Sequence, residues 1–244
     1  MEADAGNESS SSAIVQAFNN ALEPPLLTER LQDSWRRNAG RWTEMVRHPV
    51  IIRERSVVYS AVLAAVLRLQ PKLVLDLGCG KGWLCRELSE HGIDCIGIDA
   101  VDSLIEAARR GAGGDSRFFA YEEIAKAPSQ LGVSPDVLVA NFSLLDEEAP
   151  QLLNAMATIA HEATRLIIQA AHPIIAGAGA EPGWRLELFN GHRGGLWVDM
   201  PWYFRSLSSW EVALKPTWRL ELVEEPKEAG ASQPSSLLLT AIKG

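Results

Sequence analysis

A glycine-rich loop follows a short apolar run and is the clearest chemical feature of the chain. Leu73–Leu77 leads into the loop 78–82, Gly-Cys-Gly-Lys-Gly, where glycines allow a sharp turn and close approach of a ligand to the backbone. Trp83 is too bulky for the close helix packing of a G-x-G-x-x-G dinucleotide site. Lys81 is followed by glycine rather than Ser or Thr, which disfavours a P-loop. The loop therefore predicts a ligand site that is neither a dinucleotide site nor a P-loop.

A carboxylate lies at the end of the next apolar run. Asp99 follows Gly97 and Ile98, 17 residues beyond Gly82. A ribose diol offers two hydrogen-bond donors, and a carboxylate offers two acceptor oxygens. An unrelated α/β protein could use the same residues as a turn, with Asp99 as a helix N-cap. The agreement of run, loop and acid favours a ribose site.

The string V-L-D-L-G-C-G-K-G, which begins at Val74, resembles motif I of the class I S-adenosylmethionine (SAM) dependent methyltransferases. The resemblance implies SAM as cofactor and S-adenosylhomocysteine (SAH) as product. At the matching positions it implies cofactor contacts from Asp76, Gly78, Cys79, Gly80, Asp99, Ala100, Tyr121, Glu122, Asn141 and Phe142. It also favours Arg55 over Arg53 for the methionine carboxylate, which the bidentate fork of arginine suits. Strand-end turns and surface solvation are the alternatives for the positions outside the loop.

Five apolar runs alternate with helix-like stretches. The runs are 73–77, 94–98, 117–120, 136–140 and 166–170, and two later strand-like runs cover 219–224 and 236–242. Alternation of this kind predicts a parallel sheet with the loops that bind ligands at one edge. The predicted fold class is α/β, a Rossmann-like, doubly wound, seven-stranded sheet that is parallel except for one antiparallel strand.

The predicted organisation has three parts. Residues 1–12 are polar and Ser-rich and are expected to be a disordered tail, and 13–70 are expected to form a helical cap. The cofactor-binding domain is expected over 71–244, with an insertion over about 171–206 that covers the substrate. The segment Met-Pro-Trp-Tyr-Phe-Arg at 200–205 is similar to a set of bacterial small-molecule methyltransferases.

Aromatic residues are concentrated in that insertion. Residues 184–210 contain seven of the 17 aromatic side chains of the chain. The predicted substrate pocket, for a flat apolar acceptor, is lined by Trp35, Trp42, Trp184, Trp197, Trp202 and Tyr203. Packing of the cap onto the core is the alternative explanation for most of these side chains.

Methyl transfer from a positive sulfur needs mainly alignment and exclusion of water. A base is required only if the nucleophile arrives protonated. His172, after the fifth run, and His192, in the insertion, are the candidate bases, and each could instead be structural. Asp146 and Glu147 belong to no cluster of metal ligands, so no metal is expected.

Composition limits the classes of partner that are expected for the protein. The net charge of -8 and the pI near 5.2 argue against binding of nucleic acid, which requires a basic surface. Cys79, Cys85 and Cys95 lack metal-ligand spacing and fit a reducing, cytoplasmic setting. No apolar run reaches the roughly 20 residues that span a bilayer, so no membrane association is expected. A monomer or homodimer is expected.

The predicted function is transfer of a methyl group from SAM to an oxygen or nitrogen atom of a small aromatic or heterocyclic molecule, as in secondary metabolism. A protein or nucleic-acid methyltransferase is the first alternative, disfavoured by the acidic charge and by the absence of an Asn/Asp-Pro-Pro-Tyr string after the fourth run. A SAM-binding protein without catalysis is the second alternative. Trp83 opposes a third, an NAD-dependent oxidoreductase.

Overall fold

The computed structural model describes residues 23–46, 56–111, 117–125, 127–174, 181–189 and 197–244. Three predictions concern residues outside these ranges: the disordered tail, the cofactor contact of Arg55 and the candidate base His192.

Seven of the nine strands of the described residues form one sheet. The strands are β1 (Leu73–Leu77), β2 (Asp94–Asp99), β3 (Arg117–Ala120), β4 (Val137–Asn141), β5 (Arg165–Ala170), β6 (Gly183–Glu187), β7 (Met200–Phe204), β8 (Trp218–Glu224) and β9 (Leu237–Lys243). The order in the large sheet is β3-β2-β1-β4-β5-β9-β8. Strands β1 to β5 pair in parallel, whereas β9 is antiparallel to both β5 and β8. The predicted seven-stranded sheet with one antiparallel strand is confirmed.

Helices cover both faces of this sheet. They are α1 (Pro24–Val46), α2 (Ser56–Arg68), α3 (Trp83–Glu90), α4 (Asp102–Gly111), α5 (Tyr121–Ala125), α6 (Ala149–Ala157) and α7 (Leu207–Leu214). Helices α2, α3 and α4 pack on one face through Val62, Leu84 and Ile105. Helices α6 and α7 pack on the other through Leu153 and Trp210. Burial on both faces explains why β1, β4 and β5 are nearly continuous apolar runs.

The predicted insertion contains a second, two-stranded sheet, in which β6 and β7 pair antiparallel. Sequence analysis did not predict these strands, because glycines, prolines and a long intervening segment obscure their alternation. Helix α1 packs on β6 and β7 through an aromatic cluster, defined here as Leu27, Leu31, Trp35, Trp42, Leu145, Trp184, Phe189, Trp197, Met200 and Tyr203.

Polar side chains of α1 hold the segment before β7. Asn38 donates to the carbonyl of Val198 at 2.7 Å and accepts from its N–H at 3.0 Å. Ser34 donates to the carbonyl of Asp199 at 2.8 Å. Both polar side chains are buried, so these bonds satisfy groups that would otherwise oppose folding.

Two of the three cysteines pair. Cys85 of α3 and Cys95 of β2 form a disulfide with their α carbons 5.1 Å apart, and Cys79 is free and buried. Spacing along the chain did not indicate this pairing, which arises because α3 packs directly on β2. The disulfide does not favour the reducing setting that the three cysteines suggested.

No helix among the described residues is both long and apolar enough to cross a bilayer.

Candidate functional site

The predicted cofactor residues gather where β1 to β5 end, which we call the carboxyl edge. Gly78 and Cys79 both donate to the carbonyl of Ile98, at 2.7 and 2.9 Å, so the glycine loop lies against the end of β2. On the other side of β1, Asn141 of β4 is in register with Gln169 of β5. The strand order reverses between β1 and β4, which is the place where open α/β sheets bind ligands.

Four polar side chains project from one face of the sheet near this edge. Side chains alternate along a strand, and Val74, Cys95, Val139 and Ile167 all pack toward α2, α3 and α4. The same alternation directs Asp76, Asp99, Asn141 and Gln169 toward that face. Strands β2, β1, β4 and β5 therefore contribute one polar group each to a common row.

All three glycines of the loop have left-handed backbone, and Gly78 and Gly80 differ in their surroundings. Gly78 has φ 78°, and a β carbon there would lie 2.2 Å from the β carbon of Ser143. The Ser143 hydroxyl donates to the carbonyl of Leu77, so this glycine makes room for the loop after β4. Gly80 has φ 56°, and a β carbon there would meet nothing within 4 Å. The open space is therefore above Gly80.

Asp99 is held by the backbone around it. Its Oδ2 accepts from the N–H of Gly80 at 2.8 Å, and its Oδ1 accepts from the N–H of Val101 at 2.9 Å. Burial raises the pKa of Asp99, and the bonds from Val101 and Gly80 oppose that rise. A carboxylate has about four acceptor positions, so each oxygen keeps capacity for a ribose hydroxyl. Ala100, which follows, is exposed.

Asp76 is fully buried and makes no hydrogen bond among the described residues. Burial, followed by repulsion from Asp99, raises the pKa of Asp76 to about 7. A cation bound nearby would favour the ionised form and lower this pKa. SAM carries two positive groups, a sulfonium and an ammonium, so the Asp76 carboxyl suits this cofactor.

Cys79 is suited to contribute its backbone, rather than a thiolate side chain, to the site. Its side chain is buried, and burial raises the pKa of the thiol, with further contributions from Asp76 and Asp99. The sulfur fills the space beside Gly97, where a β carbon would lie 2.7 Å from it.

Two amide oxygens at the ends of β4 and β5 are buried without a donor. They are Oδ1 of Asn141 and Oε1 of Gln169, in adjacent register positions. Gln169 donates through Nε2 to the hydroxyl of Ser236 at 3.0 Å, which fixes its orientation. An ammonium donor such as that of the methionine moiety suits such a pair of acceptors. Sequence analysis missed Gln169, although a lone amide in the apolar run 166–170 was a usable signal.

The chain turns sharply after Asn141. Phe142 has φ 52°, a left-handed conformation that is uncommon for a bulky residue, and its N–H donates to the carbonyl of Gln169 at 2.8 Å. Observed outliers of this kind cluster at functional sites.

Tyr121 and Glu122, the two cofactor candidates that follow β3, differ in their exposure to solvent. Tyr121 is half-buried at the start of α5, and burial raises the pKa of its phenol, with Asp146 and Glu148 adding to the rise. Its surroundings therefore include the loop after β4. Glu122 is exposed.

Five of the six substrate candidates lie together in the aromatic cluster. Trp35 and Trp42 meet edge to face with centroids 5.5 Å apart, and Trp184 and Tyr203 do so at 5.6 Å. Trp197 completes the five, stacked on Phe189 at 4.6 Å. The sixth candidate, Trp202, is not in the cluster, and its ring contacts Phe204 instead, edge to face at 6.2 Å.

The aromatic cluster also reaches the cofactor side of the carboxyl edge. Trp35 packs on Val101 and Leu104, which lie two and five residues after Asp99, as well as on the cluster. Leu145, in the loop after β4, is a member of the cluster. Helix α1 therefore joins the segment after β2 to the segment after β4.

Both ring nitrogens of the candidate base His172 have partners. Its Nε2 lies 3.0 Å from Oε1 of Glu225, and its Nδ1 accepts from the N–H of Ile174 at 3.2 Å. The pair joins the end of β5 to the end of β8. A catalytic role for His172 would require one of these bonds to break.

The comparisons with known proteins agree on one family. Residues 51–170 match the family model of a methyltransferase domain. A ubiquinone biosynthesis O-methyltransferase of Sinorhizobium medicae is 36% identical over 77 residues, 31% of this chain and 31% of that protein. One of Coxiella burnetii is 44% identical over 46 residues, 19% of this chain and 20% of that protein. These matches span under a third of the curated relatives.

Solved structures share the fold at low identity. A SAM-dependent methyltransferase from Mesorhizobium loti has a TM-score of 0.55 and 21% identity, covering 73% of this chain and 96% of that one. Magnesium protoporphyrin IX methyltransferase from Synechocystis PCC 6803, with bound SAM, has a TM-score of 0.60 and 19% identity, covering 93% of this chain and 100% of that one. The family model spans the glycine loop and all of β1 to β5, so residues 51–170 are a methyltransferase domain, their fold is that of the class I SAM-dependent methyltransferases, and the cofactor is SAM.

Proposed function

We propose that the protein transfers the methyl group of SAM to an oxygen or nitrogen atom of a small aromatic or heterocyclic molecule. The observation that carries this proposal is the position of the aromatic cluster. The cluster contacts both the loop after β4 and, through Trp35, the segment after Asp99. A flat acceptor bound against these rings would face the cofactor site.

In the cofactor site, different polar side chains of the row at the carboxyl edge bind different groups of SAM. Asp99 binds the ribose hydroxyls, and the backbone around Gly80 faces the open space beside them. The Asp76 carboxylate balances the charge of the methionine ammonium, and the amide oxygens of Asn141 and Gln169 accept hydrogen bonds from it. Arg55 is proposed for the methionine carboxylate by family resemblance.

The chain's own contribution to the reaction is alignment and exclusion of water. SAM supplies a methyl group activated by a positive sulfur. Helix α1, β6 and β7 cover the carboxyl edge, and Asn38 and Ser34 fix that cover at the segment before β7. A bound acceptor held between cover and cofactor reacts by in-line displacement, for which orientation is the main requirement. A base is needed only for a protonated nucleophile.

The names of the relatives support a small-molecule acceptor. Two curated relatives are named for ubiquinone biosynthesis and one structural neighbour for magnesium protoporphyrin IX, and none of these names denotes methyl transfer to a polymer. The acidic net charge of -8 weighs against a nucleic-acid acceptor. A cytoplasmic location, a role in secondary metabolism and a monomeric or homodimeric state remain proposals.

The experiment is transfer of isotopically labelled methyl from SAM to defined acceptors. One panel contains phenols, aromatic carboxylic acids, anilines and nitrogen heterocycles, and a second contains RNA and unfolded protein. We expect label in at least one small aromatic compound and none in the polymers. Label in a polymer alone would support the protein or nucleic-acid alternative, and SAM binding without transfer to any acceptor would support the non-catalytic one.

A further inference from the structure

Three side chains of the described residues that are normally charged at neutral pH are buried, and only two belong to the cofactor site. Asp76 and Asp99 face the cofactor, as described above. The third is Arg205, which follows β7 at the end of the Met-Pro-Trp-Tyr-Phe-Arg segment and is 5% exposed. Buried cations are normally paired with an anion, so Arg205 requires an explanation.

The Arg205 guanidinium is held in place by neutral groups. Its Nη2 donates to the backbone carbonyl of Glu147 at 2.7 Å. Its central carbon lies 4.6 Å from the ring centroid of Tyr203 and 5.1 Å from that of Trp210. These contacts orient the planar group, and none of them is a hydrogen bond to a carboxylate.

One end of this guanidinium has no partner. Nη1 of Arg205 is buried and makes no hydrogen bond, and the same is true of Nε1 of Trp210. Both atoms are donors, and a charged donor without an acceptor is the more costly of the two. Burial lowers the pKa of Arg205, and the opposing effect of Tyr203, Asp146 and Glu147 does not cancel that decrease.

Nearby carboxylates do not supply the missing acceptor. Oδ1 of Asp146 accepts from the hydroxyl of Thr28 and from the N–H of Glu148, both at 3.0 Å. Oε2 of Glu147 accepts from the indole N–H of Trp184 at 3.2 Å. None of the ion pairs found among the described residues includes Arg205.

Arg205 also lies beside the loop after β4, which contributes Leu145 to the aromatic cluster. Tyr203, a member of the cluster, donates from its N–H to the carbonyl of Leu145 at 2.8 Å. Together with the bond to Glu147, this places the end of β7 along the loop that begins at Asn141. A ligand group reaching Arg205 would therefore come from an acceptor that also contacts the cluster.

We propose that the methyl acceptor is an aromatic acid whose carboxylate binds Arg205 through Nη1. This inference rests on the proposed function, and it specifies the substrate class of the same site. Arginine suits the role because its planar donors match a carboxylate and its charge persists at any physiological pH. The carboxylate acts as an anchor, and the aromatic ring of the acceptor lies against the aromatic cluster.

Equilibrium binding without methyl transfer tests this inference. The full-length protein is loaded with SAH and titrated calorimetrically with 4-hydroxybenzoate, indole-3-carboxylate and quinoline-2-carboxylate, each beside its primary amide. We expect at least one acid to bind about tenfold more tightly than its amide, since hydrogen bonds to charged groups contribute that much. The Arg205→Gln variant should lose this preference while keeping its affinity for SAH.

The matched control is Arg185→Gln. Arg185, in β6, likewise lies over an aromatic ring, 5.6 Å from the centroid of Phe204, but both of its terminal nitrogens already bond to backbone carbonyls. It should keep the preference for acids. If Arg205→Gln does not bind SAH, Arg205→Lys decides: a preference reduced several-fold supports the inference, and an unchanged one contradicts it.

Two results would overturn the inference: equal binding of acids and amides by the wild-type protein, or a preference for acids that survives in Arg205→Gln. The second result would mean that Arg205 only ties β7 to the loop after β4. Failure of the proposed function is distinguishable, because it would appear as absence of methyl transfer with binding of the acid intact.

Discussion

The carboxylate of Asp99 accepts a 2.8 Å hydrogen bond from the backbone N–H of Gly80. This bond joins the loop after β1 to the end of β2 before any ligand binds. Both the left-handed backbone of Gly80 and the position of the acid are thereby fixed in advance, which reduces the cost of ordering the site on binding. Substitutions of Gly80 and of Asp99 test the two sides of this contact separately.

Replacing Gly80 by alanine should weaken cofactor binding more than it weakens the fold. A β carbon at Gly80 would project into the open space proposed for SAM, and the left-handed backbone alone would cost about 1–2 kcal/mol. Gly132→Ala is the matched control, because Gly132 has φ 63° and equally open surroundings outside the carboxyl edge. Urea unfolding should show similar losses for both, and SAM titration should show a loss only for Gly80→Ala. Equal SAM affinities would contradict this placement of the cofactor.

Stability of the protein without SAM should fall as pH rises toward neutrality. The pKa of Asp76 is raised to about 7 in the fold, above the value near 3.9 of an unfolded chain. Between these two values the native state holds a proton that the unfolded state has released, so the free energy of unfolding falls with pH, by at most about 1.4 kcal/mol per pH unit. The free energy of unfolding becomes constant above the pKa that Asp76 has in the folded protein.

The Asp76→Asn variant tests the same point. It should be more stable than the wild type at pH 8 and should show a shallower pH dependence between pH 5 and 7 in urea unfolding. SAM affinity of the wild type should rise across pH 7, because the ionised carboxylate favours a cation. An Asp76→Asn variant with unchanged pH dependence would show that another group is responsible.

Side chains on the two faces of β7 should differ in their effect on the acceptor. Tyr203 belongs to the aromatic cluster, whereas Trp202 contacts Phe204, edge to face at 6.2 Å, and lies outside it. Tyr203→Ala should raise the KM for an aromatic acceptor by about three- to tenfold, the amount expected for one lost ring contact. Trp202→Ala should leave that KM unchanged, and SAM affinity should be unchanged in both. The reverse order would place the acceptor on the other face of β7.

His172 should act through Glu225 rather than as a base. The two side chains form one pair, so His172→Gln and Glu225→Gln should have similar effects, each lowering kcat by less than about tenfold, whereas loss of a general base costs about 10²–10⁴-fold. The measurement is the pH profile of kcat for the first acceptor identified. A loss of a hundredfold or more in His172→Gln alone, with a shifted profile, would restore the candidate base.

The alternation of apolar runs with helices sufficed to predict the large sheet, since β1, β2, β4 and β5 are buried along most of their length. The strands β6 and β7 could not be predicted in this way, because they pair with each other and with α1 over a long separation in sequence. For the same reason nothing in the sequence distinguished Tyr203 from Trp202, as only the pairing of β7 decides which side chain enters the aromatic cluster.

The cofactor site was predictable where function fixes both residue type and spacing. Gly80 and Asp99 meet these conditions, and the structure joins them directly. Gln169 and Arg205 were not identified, because an amide in a strand and an arginine after a strand are ordinary in sequence and become unusual only through burial without a partner. The lone polar residue within an apolar run was the one local signal for Gln169.

The most direct test of the account is calorimetric titration of SAM and SAH into the wild type, Asp99→Ala and Asp94→Ala. Asp94 is the exposed first residue of the same strand, at the opposite edge of the sheet, and is the matched control. We expect both ligands to bind the wild type and Asp94→Ala equally, and to bind Asp99→Ala at least about tenfold more weakly, since a buried carboxylate loses charged hydrogen bonds to the ribose. Equal affinities in Asp99→Ala, or no binding by folded wild-type protein, would contradict the cofactor site described here.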